Sequence, residues 1–379
     1  MTRRVLFVTG TRADFGLWVP VLRAAAASGE LEPAILATAM HLDPRFGSTI
    51  DEVRAAGFPI VAEVPCTPAG DSAAEMALAL GRAIEGMAPV LERERPDWVL
   101  VLGDRGEQLA AALAATHLGL AIGHVAGGDR SFGAVDDALR DMISRAAALH
   151  FVASQAAAER LRAIGEDDQR IRLVGSPGLD DLRELAASED AGAVRARVGL
   201  PADGAYLLLA MHPETRSRRA ASDDMRAVLA AAAHTGLALA AVYPNADAGG
   251  RAMIERLAEW PQVRAVPSLP RSAFAGLLAG AAALVGNSSA GLIEAPLLRV
   301  PAVNVGRRQA GRLRGDNIID VQADEASIAA GLRRALDPSF RAALSGTSPY
   351  GDGQTAPRIV RALIDEPMTD ELVFKPGPG

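Results

Sequence analysis

The sequence predicts an α/β protein built from two Rossmann-like halves with parallel sheets, and three observations carry that expectation. Short apolar runs recur along the chain without polar alternation, the pattern of a parallel strand covered on both faces. Between them lie alanine-rich amphipathic segments long enough for crossover helices. Around Gly175-Ser176-Pro177-Gly178 the rhythm pauses and later resumes, which marks a hinge near residues 176–200. A chain of 379 residues also exceeds what one core usually organises, since domains run to roughly 100–200 residues.

In order, the first half reads as strands at residues 5–8, 34–37, 60–64, 98–102, 122–125, 149–152 and 171–174. The first strand runs into Thr9-Gly10-Thr11-Arg12-Ala13-Asp14-Phe15-Gly16, with a helix expected to begin near Leu17. A Gly-Thr turn at a strand end exposes backbone N–H groups suited to an anion, and Arg12 can pair with phosphate oxygens. The bland alternative is an ordinary turn with a solvated arginine. The three-glycine spacing of a dinucleotide-binding turn is absent, so a nicotinamide or flavin role has little support.

Acidic groups then follow two successive buried strands. Gly103-Asp104-Arg105-Gly106-Glu107 closes the run 98–102, and His124-Val125-Ala126-Gly127-Gly128-Asp129 closes the run 121–125, with Asp136-Asp137 close behind. An open α/β sheet places its active site at such strand ends. Carboxylates crowded into a dry site repel one another, so Asp104, Asp129 and Asp136 are candidates for proton transfer. Arg105 and Arg140 can instead tie two of them into structural ion pairs. Neither His-x-x-x-His nor Asp-x-Asp spacing supports a metal.

The polar stretch with Arg183, Glu184, Glu189 and Asp190 leads to a second series of strands at 206–210, 237–242, 263–266, 281–285 and 301–305. His212 stands just past the first of these, in His212-Pro213-Glu214-Thr215-Arg216, where an imidazole titrating near neutrality suits an acid or a phosphate donor. His41 and His124 also sit at strand ends; His117, His150 and His234 read as structural. Gly286-Asn287-Ser288-Ser289-Ala290-Gly291 precedes a helix carrying Glu294 and offers hydroxyls and amides to a diphosphate. A simple N-cap is its competing explanation. Glu294 can accept hydrogen bonds from a ribose or lie solvated on its helix. Gly306-Arg307-Arg308-Gln309 adds a further phosphate or ribose contact, or else a charged surface loop. The expected arrangement is two halves facing each other across a cleft.

Thirty-nine Lys and Arg against 46 Asp and Glu leave a net charge of −7, which argues against nucleic-acid or anionic-membrane partners and for a small ligand. The one cysteine, Cys66, excludes an intramolecular disulfide and a thiolate metal cage. No signal segment opens the chain and no uncharged apolar stretch reaches the roughly 18 residues of a membrane span, so a reducing cytoplasm is expected.

These motifs, with Met40-His41-Leu42-Asp43, Asp136-Asp137-Ala138-Leu139-Arg140, Gly175-Ser176-Pro177-Gly178-Leu179-Asp180 and Tyr243-Pro244-Asn245-Ala246-Asp247-Ala248-Gly249, together resemble the hydrolysing UDP-N-acetylglucosamine 2-epimerases of sialic-acid and related sugar pathways. The resemblance runs from Val5 to about Val321. It implies a GT-B fold whose first domain spans residues 1–178, with a crossing helix at about 356–379, and whose UDP-binding domain spans 179–355. It implies elimination of UDP to a 2-acetamidoglucal and hydration to N-acetylmannosamine, without a metal or nicotinamide cofactor, in a cytoplasmic homodimer. Asp104, Asp129, Asp136 and His212 would be catalytic. Gly10, Arg12, Asp14, His41, Arg105, Glu107, Asn287, Ser288, Ser289, Gly291, Glu294 and Arg308 would bind the UDP-sugar.

Two departures bear on the substrate. Sialic-acid enzymes usually carry a glutamate where this chain has Ala126, and a histidine where it has Asp141. A diacetamido or antibiotic-pathway sugar is therefore a candidate. A non-hydrolysing epimerase, a GT-B glycosyltransferase and a nucleotide-sugar-binding regulator without chemistry are the competing functions. Ala13-Asp14 and Gly127-Gly128-Asp129 favour hydrolysis within the resemblance.

Overall fold

The computed structural model describes residues 2–47, 49–70, 72–130, 135–214, 219–245 and 247–375. Thr215 and Arg216 after His212, Ala246 in the 243–249 motif and residues 376–379 of the expected crossing segment lie outside the described residues. Two compact units emerge. One comprises Met1–Asp129, Asp136–Asp180 and Tyr350–Gly379, and the other Arg130–Val135 and Asp181–Pro349.

The first unit is built on seven parallel strands: β1 (Arg3–Thr9), β2 (Leu31–Thr38), β3 (Ile60–Val64), β4 (Trp98–Leu102), β5 (Ala121–Val125), β6 (Leu149–Val152) and β7 (Ile171–Leu173). Their order is β3-β2-β1-β4-β5-β6-β7. Val5 and Phe7 join Trp18, Trp98 and Leu100 on one face, while Leu6 and Val8 join Met87, Val99 and Val101 on the other. Both faces of β1 and β4 are thus sealed by helices, which is why residues 5–8 and 98–102 are apolar at every position. The Trp18 indole meets Phe7 edge-on, with ring centroids 5.1 Å apart, and its N–H donates to the Val8 carbonyl at 2.8 Å.

The second unit carries six parallel strands: β8 (Tyr206–Ala210), β9 (Ala238–Val242), β10 (Arg264–Val266), β11 (Ala283–Gly286), β12 (Ala302–Val305) and β13 (Ile318–Val321), in the order β10-β9-β8-β11-β12-β13. Its core likewise has two layers, around Leu207, Leu209 and Val285 and around Leu208, Leu284 and Ala302. The strand order reverses between β1 and β4 in one sheet and between β8 and β11 in the other, and ligand sites in open α/β sheets form at such points.

Two expectations need correction. β13 was not anticipated, because Asp320 interrupts a four-residue apolar run; it is an edge strand, and the Asn304 amide donates to Asp320 across it at 2.6 Å. The first helix spans Arg12–Ser28 and does not wait until Leu17. Thr11 is its N-cap, and a capping box with Asp14 starts it early. The helix Thr355–Asp365 belongs to the first unit and packs on the helix Arg12–Ser28. Among the described residues no helix is long and apolar enough to cross a membrane.

Candidate active site

At the β1 end, the anion expected on the turn amides is supplied by the chain itself. The Asp14 carboxylate accepts from the Gly10 amide at 3.0 Å, the Thr11 amide at 3.1 Å and the Thr9 hydroxyl. Burial raises the Asp14 pKa above its ordinary value, and these three donors pull against that rise. Thr9 gives its proton to Asp14, so His41 Nε2, 2.9 Å from the same hydroxyl, is the donor there, and Nδ1 accepts from Thr49 at 2.8 Å. His41 is sealed from solvent and its pKa falls to about 4, chiefly through burial. Asp14 and His41 therefore brace the turn instead of facing a ligand. Gly10 is required for contact, since a Cβ there would lie 2.4 Å from the Glu107 carboxylate. Arg12 is ion-paired with Glu52, and Arg105 with Glu107 at 2.7 Å.

The acids after β4 and β5 are organised by two arginines. Arg140 binds the Asp104 carboxylate and, at 2.7 Å, the Ala126 carbonyl, so it staples the two strand ends together. Ala126 sits at φ 61°, a left-handed conformation that a residue with a Cβ adopts only under constraint. Arg160 donates to the Asp129 carbonyl at 2.6 Å and to the carboxylates of Asp137 at 3.1 Å and Asp141 at 2.9 Å. The departure at Asp141 is thereby accounted for as an ion-pair partner. Gly128, at φ 73°, presses the same turn against the next helix, where a Cβ would lie 2.3 Å from the Ala157 carbonyl. Asp129 and Asp136 are buried, the latter in the first turn of the helix Asp136–Ala146. His124 supports this end from below. It donates through Nε2 to the Gly103 carbonyl at 2.8 Å and receives the Ser144 hydroxyl on Nδ1 at 3.1 Å, and burial drops its pKa to about 3.

In the second unit, His212 follows β8 and the 286–291 turn follows β11, the two strands at the order reversal. The Asn287 side chain, expected to face a ligand, is spent on His212: its Oδ1 accepts the His212 amide at 2.7 Å and its Nδ2 donates to the His212 carbonyl at 2.9 Å. Gly291 is likewise a packing residue, because a Cβ there would sit 3.3 Å from both Ala302 and Leu284. The turn's amides are largely engaged, Ser288 with the Ala210 carbonyl and Gly291 with the Ser288 carbonyl. Ser289 occupies the N-cap position of the helix Ala290–Leu297, yet its hydroxyl makes no capping bond. The N-cap explanation therefore does not account for Ser289.

Glu294, one turn further on, has Oε2 buried with no hydrogen-bond partner among the described residues, and burial lifts its pKa to about 7 despite Arg271 and Arg312. An acceptor held dry at this point suits a pair of ribose hydroxyls. Arg308 reaches the Asn287 carbonyl at 3.4 Å. Sequence reasoning gave no role to Glu214, whose carboxylate accepts the amides of Arg307 at 2.6 Å and Arg308 at 2.9 Å. Gln309, expected within the 306–309 motif to reach a phosphate or ribose, donates instead to the Asn287 carbonyl at 2.8 Å, and Asn245, named in the 243–249 motif without a role, brings its amide to His212 Nδ1 at 3.2 Å. Their polar positions at strand ends were the available signal. Among the described residues no group of three or more His, Cys, Asp or Glu side chains is arranged to hold a metal.

Comparison with known proteins fits this layout. A family model described as UDP-N-acetylglucosamine 2-epimerase matches residues 23–364. A UDP-N,N'-diacetylbacillosamine 2-epimerase (hydrolysing) of Legionella pneumophila is 38% identical over 378 residues, covering 99% of both chains. A UDP-N-acetylglucosamine 2-epimerase of Neisseria meningitidis is 32% identical, covering 97% of this chain and 96% of that one. Among solved structures, a UDP-GlcNAc 2-epimerase from Neisseria meningitidis bound to UDP-GlcNAc superposes with a TM-score of 0.81 at 18% identity, covering 96% of this chain and all of the other. By family match and by full-length relatives alike, the chain belongs to the UDP-N-acetylglucosamine 2-epimerase family.

Proposed function

We propose that this protein is a hydrolysing 2-epimerase acting on a UDP-linked 2-acetamido sugar, as a cytoplasmic homodimer. A carboxylate takes the proton from C2 of the sugar while the C1–O bond breaks and UDP departs with the bonding pair, leaving a 2-acetamidoglucal. Water then adds its hydroxyl to C1 and a proton returns to C2 on the opposite face, so that the free, epimerised sugar and UDP are released. Asp104, Asp129 and Asp136 serve as the acid/base groups of residues 1–178. His212 faces the leaving diphosphate, and Arg12, Ser288, Ser289, Glu294 and Arg308 hold UDP, most of them in residues 179–355.

The observation that carries this reading is the placement of Asp104, Asp129 and Asp136 beyond the β4 and β5 ends, where Arg140 pairs with Asp104 and staples the two strand ends and Arg160 holds the Asp129 carbonyl. A glycosyltransferase has no need of several acids on one sheet end. The sugar tested first is a 2,4-diacetamido one, for two reasons. The hydrolysing relative at 38% identity is named for UDP-N,N'-diacetylbacillosamine. Ala126 also offers only a methyl group where sialic-acid enzymes carry a carboxylate.

Incubation with UDP-N,N'-diacetylbacillosamine and with UDP-N-acetylglucosamine in deuterated water tests the proposal. Expected products are free UDP and one equivalent of free sugar carrying deuterium at C2. A reversible mixture of nucleotide sugars indicates the non-hydrolysing reaction, and turnover only with an added acceptor indicates a glycosyltransferase. Asp104→Asn and Asp136→Asn should each slow turnover by on the order of 10²-fold while UDP still binds. Near-normal rates in both would remove the assigned roles.

A further inference from the structure

We propose that Asn287 is a positioning residue that holds the His212 backbone where the Asn245 amide can fix the ring in one tautomer, and is not itself a contact to the nucleotide; this rests on the UDP-sugar reading above. The geometry begins at the reversal of strand order in the second sheet. β8 and β11 end side by side, Ala210 opposite Gly286. Gly286 lies at φ 132°, and a Cβ on it would be 2.1 Å from the Ala210 carbonyl oxygen, so only glycine lets the two backbones run this close. The Asn287 amide then continues the ladder beyond the last strand residue. It supplies the acceptor and the donor that a neighbouring peptide group would have offered to His212.

That pairing fixes the backbone of residue 212, and a second contact fixes its ring. The Asn245 amide donates to His212 Nδ1 at 3.2 Å, which places the ring proton on Nε2. Gln309 ties the Asn287 carbonyl to the loop after β12 at 2.8 Å. Asn287 is 1% exposed, and its amide oxygen and one of its two amide N–H groups are engaged by His212, so its side chain is turned to the His212 backbone and away from solvent. An Nε2–H donor held in place before charge develops on the departing UDP acts in the transition state more than in the ground state.

The test uses the full chain with Asn287→Ala and Asn287→Asp, read by steady-state UDP release, UDP calorimetry and imidazole 15N NMR, with His212 assigned through His212→Gln. For Asn287→Ala, kcat should fall roughly 10- to 100-fold while KM and the UDP Kd stay within about threefold. The His212 ring should lose its pure Nε2–H signature. Asn287→Asp is nearly isosteric and keeps the acceptor, but its carboxylate opposes the His212 carbonyl. Its kcat should be low at pH 8 and recover as the pH drops, when the protonated carboxyl regains a donor. Raised KM and weakened UDP binding with kcat intact would make Asn287 a nucleotide contact and overturn the proposal, as would an unchanged His212 spectrum. If the unaltered protein releases no UDP from any nucleotide sugar, the function is wrong, and the NMR measurement still judges Asn287 by itself.

Discussion

Residue identity at a strand end says what chemistry is possible; the partner each side chain finds decides what it does. Asp14 and Asp104 are both aspartates just past a parallel strand, yet Asp14 is consumed by the amides and hydroxyl of its own turn, whereas Asp104 is gripped by an arginine that also holds the neighbouring strand end. Asn287 and Ser289 differ in the same way, the amide tied to His212 and the hydroxyl left out of the helix cap. Ser289→Ala should therefore weaken UDP binding by about 1 kcal/mol, roughly a fivefold rise in Kd, the scale of one hydrogen bond. Calorimetry with UDP reads this directly, and kcat should be preserved. An unchanged Kd would remove Ser289 from the nucleotide contacts.

At the scale of elements, the motif Gly175 to Asp180, where the sequence rhythm pauses, is the last stretch of the first unit before Asp181 and also caps a helix of that unit. The Asp180 carboxylate accepts the amides of Thr355 at 3.0 Å and Ala356 at 2.6 Å, capping the helix Thr355–Asp365, whose own N-cap residue Gln354 makes no side-chain bond. Asp180→Ala strips a buried carboxylate from two helix-start donors, and about 2 kcal/mol of stability should go with it. Urea unfolding measures the loss, and Asp180→Asn, which keeps one acceptor oxygen, should lose less. If Asp180→Ala unfolds at the same urea concentration as the unaltered chain, the cap contributes nothing. The strands were legible because burial on both faces leaves apolar runs such as Trp98–Leu102 with no polar interruption. What escaped were features set by distant partners: the early helix start at Arg12, the edge strand around Asp320, and the pairing of Asp180 with a helix 175 residues away. The candidate site residues stood out as polar types at strand ends, but which of them brace the turns could not be read there, because that depends on contacts such as Glu107 over Gly10.

For the molecule as a whole, buried ionisable groups are distributed so that the two units respond oppositely to mild acid. The first unit buries three neutral histidines. Burial holds His41 near 4 and His124 near 3, and lowers His150 as well even though it donates to Glu166 at 2.9 Å. In the unfolded chain such rings titrate near 6.5, so between about pH 7.5 and 5.5 the unfolded state takes up protons that the folded unit refuses, and stability falls as pH falls. Each ring contributes on the order of 1 kcal/mol over that window. Asp14, raised by burial, works the other way but is one group against three. The second unit holds Glu294 near 7 and Asp224 near 6, both raised by burial, so its folded form takes up protons before the unfolded chain does and gains stability as the pH drops through the same window. Each group contributes on the order of 1 kcal/mol over that window. Hydrogen exchange read peptide by peptide on the nucleotide-free protein, corrected for the intrinsic pH dependence of exchange, should show β1, β4 and β5 losing protection from pH 7.5 to 5.5 while β8 and β11 gain it. Glu294→Gln should flatten the response of the second unit alone and raise its protection at pH 7.5. Parallel movement of the two sheets would mean that these buried groups do not govern the stability of the units that contain them.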